Sequence, residues 1–219
     1  QRVNKAYEKS EFHVVYHAIS TFCIVDLSSF YLDITKDTLY CSASGERERR
    51  SIQTVLCQAG NVLARLLAPV LPFTTEEVWS YLPGSKDMAE NVHLTDLPRA
   101  NRDYLNPELE SYWERILDLR DEVAKALEAA RQEKVIGPAT EANVSLYPEN
   151  EETLNFLLQI EDELPAIFIV SSVKVHDVWE AAPQGAMKLN DDLQLSIIEA
   201  PGPGRKCTRC WLYKETVGN

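Results

Sequence analysis

The sequence predicts a mainly α protein: an antiparallel helical bundle, then a small α/β unit, then a short tail. Three observations lead to this. Apolar residues recur at three- and four-residue spacing over the first hundred positions. Near Ala142 that spacing gives way to alternation of period two. A Pro-Gly-Pro-Gly stretch at 201–204 then sets off a tail that carries two cysteines. The predicted bodies are 1–100, 101–200 and 201–219.

Residues 4–40 read as helix, because Phe12, Val15, Tyr16, Ile19, Phe22 and Cys23 form one apolar stripe that continues through Leu27, Phe30, Tyr31 and Ile34. Asp26 with Ser28 and Ser29 is the expected break. A turn at 42–45 leads into a second helix over 46–67, with Ile52, Val55, Leu56, Leu63 and Leu66 on its apolar face. Pro69 ends it, having no N–H for the helix ladder. Thr74, with Glu77 three residues on, reads as a capping box for a short helix through Trp79, stopped by Pro83-Gly84. Residues 85–105 read as a loop.

Asn106-Pro107 is an N-cap followed by proline in the first helical turn, and it opens a helix running to about Lys134. Beyond Gly137-Pro138 a strand is predicted over 142–147 and a helix over 151–163. Further strands are expected over 166–170, 173–179 and 193–198.

Apolar side chains make up 45% of the 219 residues, enough for a buried core. No apolar run approaches the roughly 18–20 residues that span a bilayer, and the first ten residues show no secretory pattern. A cytoplasmic protein is expected, and a start without Met suggests an excised piece. The net charge of −12 excludes a generic nucleic-acid binder. Its distribution is more informative. Residues 1–100 hold 10 basic and 12 acidic side chains, residues 101–200 hold 8 and 21, and residues 201–219 hold 4 and 1. A polyanion is therefore repelled by the middle and tolerated at the two ends.

The five cysteines do not form a secreted disulfide framework. Cys23, Cys41 and Cys57 sit in apolar helical stretches as small filler. Cys207 and Cys210, at C-x-x-C spacing, are different: two thiolates three positions apart both reach one tetrahedral zinc. A redox pair is the alternative, since Arg205, Lys206 and Arg209 favour thiolates. A chance pair is the third reading. His13 and His17, four apart, are ordinary helix histidines, because no third ligand accompanies them.

Arg47, Arg49 and Arg50 alternate with Glu46 and Glu48, suiting either a salt-bridged helix start or phosphate contact. Trp211 and Tyr213 flank the cysteine pair among the cations Lys206 and Arg209. They suit stacking on unpaired RNA bases, or packing over a metal loop. No nucleophile elbow, phosphate-binding glycine loop or paired-carboxylate constellation occurs.

Several segments together resemble a known family. They are Phe12-His13-Val14-Val15-Tyr16, Asp26-Leu27-Ser28-Ser29-Phe30-Tyr31-Leu32-Asp33, Lys36-Asp37-Thr38-Leu39-Tyr40 and Leu67-Ala68-Pro69-Val70-Leu71-Pro72-Phe73-Thr74-Thr75-Glu76-Glu77-Val78-Trp79. The tail Lys206-Cys207-Thr208-Arg209-Cys210-Trp211 joins them. The series is similar to the anticodon-binding and zinc-binding region of isoleucyl-tRNA synthetases, and more weakly to the valyl and leucyl enzymes. It departs from the usual family pattern at Thr38, Pro138-Ala139 and Asn143, and a second cysteine pair is absent.

The resemblance implies a tRNA-binding segment of isoleucine–tRNA ligase that is not catalytic by itself. The partner is the tRNA for isoleucine, with neither membrane nor DNA, and the protein is a monomer. ATP and Mg serve a catalytic domain elsewhere in the ligase. Zinc in the full-length protein takes Cys207 and Cys210 as two of its four ligands. By the same resemblance Lys36 faces tRNA. With the motifs above, the tRNA-binding candidates are Lys36, Arg47, Arg49, Arg50, Lys206, Arg209, Trp211 and Tyr213. The competing classes are a valyl- or leucyl-type counterpart, a helical interaction protein with an acidic face, and a small redox protein.

Overall fold

The computed structural model describes residues 1–199, 204–214 and 217. Residues 201–203 of the predicted 201–204 linker, Thr216 and Gly218 lie outside the described residues. Two compact units emerge, Gln1–Leu105 and Asn106–Asn219.

In the first unit, α1 (Arg2–Glu8) stops at Lys9, and Ser10 takes a left-handed φ of 59° that turns the chain into α2 (Phe12–Thr21). The break therefore lies at residues 9–11 and not at Asp26. From Phe22 to Leu32 the helix continues in the wider π register before α3 (Asp33–Cys41). Ser29 Oγ donates to the Ile24 carbonyl five residues back at 2.8 Å, so that hydroxyl is satisfied locally without ending the helix. The apolar stripe is only partly inward. Val15 and Ile19 are buried with Ala6 against Leu63, Leu66 and Leu67, while Phe12 is 55% and Tyr16 66% exposed.

Phe12–Cys41 runs 30 residues, and its most apolar window has a mean hydropathy of 1.3, long and apolar enough to cross a membrane. This is met by length and composition only: the mean tolerates polar residues between apolar ones, and no unbroken apolar run of that length occurs. The helix also packs through Val15 and Ile19 within the helical unit.

A turn brings α4 (Arg47–Leu67) back against α3, and α5 (Pro72–Tyr81) packs on α4. The predicted capping box is not formed. The helix begins at Pro72, and Thr75, buried, donates its hydroxyl to the Leu71 carbonyl at 2.8 Å. Proline suits the first turn, so the start slides ahead of the threonines. Glu76 accepts from the Val92 N–H at 3.0 Å, pinning the following segment. That segment is not a plain loop: it holds α6 (Ser85–Met88) and single 3-10 turns at Val92–Leu94 and Arg102–Tyr104.

The second unit opens with α7 (Pro107–Gln132), whose N-cap Asn106 accepts from the Leu109 N–H at 3.1 Å. Asn106→Ala is expected to lower the stability of this unit by about 1 kcal/mol, read as a shifted denaturation midpoint. A mixed sheet of order β2-β1-β4-β3 follows, with β1 (Ala142–Pro148) parallel to β2 (Ser172–Val175). β1 is antiparallel to β4 (Leu193–Glu199), which pairs on its other side with β3 (Met187–Asn190).

Helices α8 (Glu151–Gln159) and α9 (Leu164–Phe168) complete the unit. Val144, Leu146, Leu193 and Leu195 join Ile116, Val123, Leu157 and Leu164 in one core. Tyr147, on the other face of β1, stacks on His176 with ring centroids 4.5 Å apart.

The strand expected over 166–170 is a helical turn. Pro165 is placed in its first turn, and Ile169 ends it with a left-handed φ of 58°. The strand expected over 173–179 ends at Val175, and Trp179–Ala181 is a 3-10 turn. β3 was not expected. Beyond the sheet, β5 (Arg205–Lys206) and β6 (Tyr213–Lys214) form a two-stranded hairpin.

Candidate nucleic-acid interface

The candidate side chains fall into two groups, one in each unit.

The first group surrounds the α3–α4 corner. Lys36 on α3 is exposed and paired with Asp33 at 2.7 Å, one helical turn back. The three arginines separate by orientation. Arg49 turns inward, and its Nη1 donates to the Ser42 carbonyl at 2.8 Å, where α3 ends. A guanidinium there meets the negative end of the helix dipole. Its Nε is buried and makes no hydrogen bond. Arg47 and Arg50 are exposed, and Arg47 shares a shallow pocket with Thr38, Glu48, Ser51 and Ile52. The N-terminus of α4 has no side-chain cap, so its free N–H groups add positive character beside Arg47.

The second group is the hairpin. The Cys207 N–H donates to the Leu212 carbonyl, and the Trp211 N–H donates to the Cys207 carbonyl, both at 2.9 Å. These bonds close a tight loop over Thr208, Arg209 and Cys210. The Arg209 N–H points at Cys207 Sγ, 3.4 Å away. The backbone N–H groups of Cys210 and then Arg209, with the Cys210 thiol and the Lys214 charge, hold the Cys207 thiol below its ordinary value. Both cysteines are free thiols.

Amide groups aimed at one sulfur stabilise its thiolate, the form that binds metal. The donor set thus fits half of a tetrahedral zinc site. Among the described residues no group of three or more His, Cys, Asp and Glu side chains gathers to complete it.

Trp211 takes a left-handed φ of 65° and is 61% exposed. Tyr213 is half-buried, with the Lys206 ammonium 5.7 Å from its ring centre. Lys206 is also paired with Glu141 at 2.9 Å. Lys206, Arg209, Trp211 and Tyr213 are therefore brought together with the two cysteines.

The sequence pattern described as "Anticodon-binding domain of tRNA ligase" matches residues 1–146, which include the whole helical unit, α7 and most of β1. The chain belongs to this anticodon-binding family of tRNA ligases. Its curated relatives agree. The isoleucine–tRNA ligase of Moorella thermoacetica is 49% identical over 217 residues, 99% of this chain and 23% of that protein. That of Desulforamulus reducens is 48% identical over 219 residues, and that of Bacillus cereus strain G9842 is 44% identical over 217. The chain spans about 23% of the length of these ligases. The resemblance to the isoleucyl family noted from the sequence is upheld across the whole chain.

Two participants in this anticodon-binding chain were not singled out from the sequence as site residues: Ser171, which accepts from the Tyr213 N–H, and Glu141, which holds Lys206. They lie 42 and 65 residues from their partners, and no local pattern connects them.

Proposed function

We propose that this chain is the tRNA-holding segment of an isoleucine–tRNA ligase. The observation that carries the reading is the identity of 44–49% to such ligases along nearly the entire chain, cysteine hairpin included. In that setting the parent enzyme uses ATP and Mg to join isoleucine to its tRNA, in the cytoplasm and as a monomer. Adenylation and editing belong to parts of the ligase outside this segment.

Arg47 and Arg50 serve as phosphate contacts on the helical unit, with Lys36 beside them on α3. Arg49, bonded to Ser42, positions the corner that presents them. In the α/β unit the cations Lys206 and Arg209 steer the tRNA backbone. Trp211, exposed beside them, offers an aromatic face to an unpaired base, and Tyr213 supports the Lys206 side. Zinc, when bound, ties Cys207 and Cys210 to two further ligands and has no chemical step of its own.

Filter binding of isoleucine tRNA to this chain at several salt concentrations tests the reading. Affinity is expected to fall steeply as salt rises. Arg47→Glu with Arg50→Glu should weaken binding by about 100-fold and flatten the salt slope by about two counterions. Lys36→Ala should do less, since Asp33 already offsets its charge. Salt-independent binding, or a double variant that binds as the parent does, would overturn it.

A further inference from the structure

We propose that Ser171 and Glu141 dock the cysteine hairpin on the α/β unit without metal, so that the two sulfurs are already presented when a metal arrives. Small metal loops ordinarily obtain their fold from the metal, because they bury too little to order themselves. This hairpin has another source of order.

The Ser171 hydroxyl is a two-way bridge. It donates to the Thr140 carbonyl at 2.6 Å and accepts from the Tyr213 N–H at 2.8 Å. Ser171 is itself fixed, because its N–H donates to the Ala142 carbonyl at 3.0 Å where β1 begins. The hairpin therefore hangs from the start of β1, an inner strand of the sheet, through one rigid link.

A second link lies alongside. The Glu141 side chain, 19% exposed, accepts from Lys206 at 2.9 Å. The packing around Glu141 explains a glycine. A Cβ at position 137 would lie 2.7 Å from Glu141 Oε2, so Gly137 leaves the room in which that carboxylate faces the hairpin. Lys206 and Tyr213 are partners across the β5–β6 pair, so the two links grip both strands. Neither link uses Cys207 or Cys210. The dock is thus separable from the metal, and it stands whether or not the zinc reading does.

Amide hydrogen exchange on this 219-residue chain in excess chelator tests the proposal. In the parent chain the Tyr213 amide is expected to exchange at least about tenfold more slowly than in an unstructured peptide. Ser171→Ala should cost that amide about fivefold in protection. The Val144 and Leu146 amides, internal to β1, report whether the sheet is intact, and Ser171→Thr should restore Tyr213. Should Ser171→Ala loosen the sheet as well, Glu141→Gln gives an independent reading, about twofold at Tyr213, because an ion pair whose lysine is solvent-exposed contributes little. Three results would overturn the dock: a Tyr213 amide that exchanges freely in the parent chain, protection that appears only on adding zinc, or variants that match the parent.

Discussion

Trp79→Ala is expected to destabilise the helical unit by about 3–5 kcal/mol. Trp79 is 1% exposed and packs among Ala64, Ala68, Val92 and Leu82. Its small alanine neighbours, Ala64 on α4 and Ala68 at that helix's C-cap, let the indole approach closely, so its removal leaves a cavity that alanines cannot fill. The indole N–H also donates to the Ala89 carbonyl at 3.0 Å, and Ser85 donates to the Trp79 carbonyl at 2.6 Å. The tryptophan therefore secures the segment after α5 as well as the α4–α5 contact. Thermal melting followed at helix signals should show a midpoint lower by about 15 °C or more, and Trp79→Phe a smaller loss. A midpoint within a few degrees of the parent would show that the packing described here does not govern the unit's stability.

Cys207→Ser, made in a full-length ligase that carries this segment, is expected to remove its zinc, from about one ion per chain to nearly none. Serine fits the space but offers a poor ligand atom. Structural zinc sites of this kind are held by about 10–16 kcal/mol, and three remaining ligands do not sustain that. Cys210→Ser should match it. Metal analysis of the purified protein reads both. A parent enzyme free of zinc, or a Cys207–Cys210 disulfide that a dithiol protein reduces and reforms, would reinstate the redox reading.

Much of this was legible before the structure, and the exceptions have identifiable physics. Asn106-Pro107 announced α7 because capping is local chemistry, carried by adjacent residues. The C-x-x-C pair was legible for the same reason. Residues 166–170 misled because a short apolar run looks alike as a buried strand or a buried helical turn. Ile167 and Phe168 are core residues in either case, and Pro165 decided between them. β3 escaped notice as an edge strand of four residues, largely exposed, with little alternation to detect.

Among the three arginines, alternation with glutamate could not tell which one turns toward Ser42. That choice belongs to the α3–α4 corner, a tertiary feature. Ser171 and Glu141 were illegible as anchors because their roles exist only once distant segments meet.

The pairing of β1 has a consequence for the order of events as the polypeptide is made. Its antiparallel partner begins at Leu193, so Pro148 meets Leu193 and Ala142 meets Glu199. The helical unit has all of its residues once position 105 has left the ribosome. β1 by then has not emerged, and when it does it has no neighbour on that edge until some fifty further residues follow. For that interval a strand carrying Val144 and Leu146 is out of its core, and such unpaired apolar edges are where nascent chains adhere to one another. β4 closes that interval, and the cysteine hairpin, hung from β1 through Ser171, comes later still.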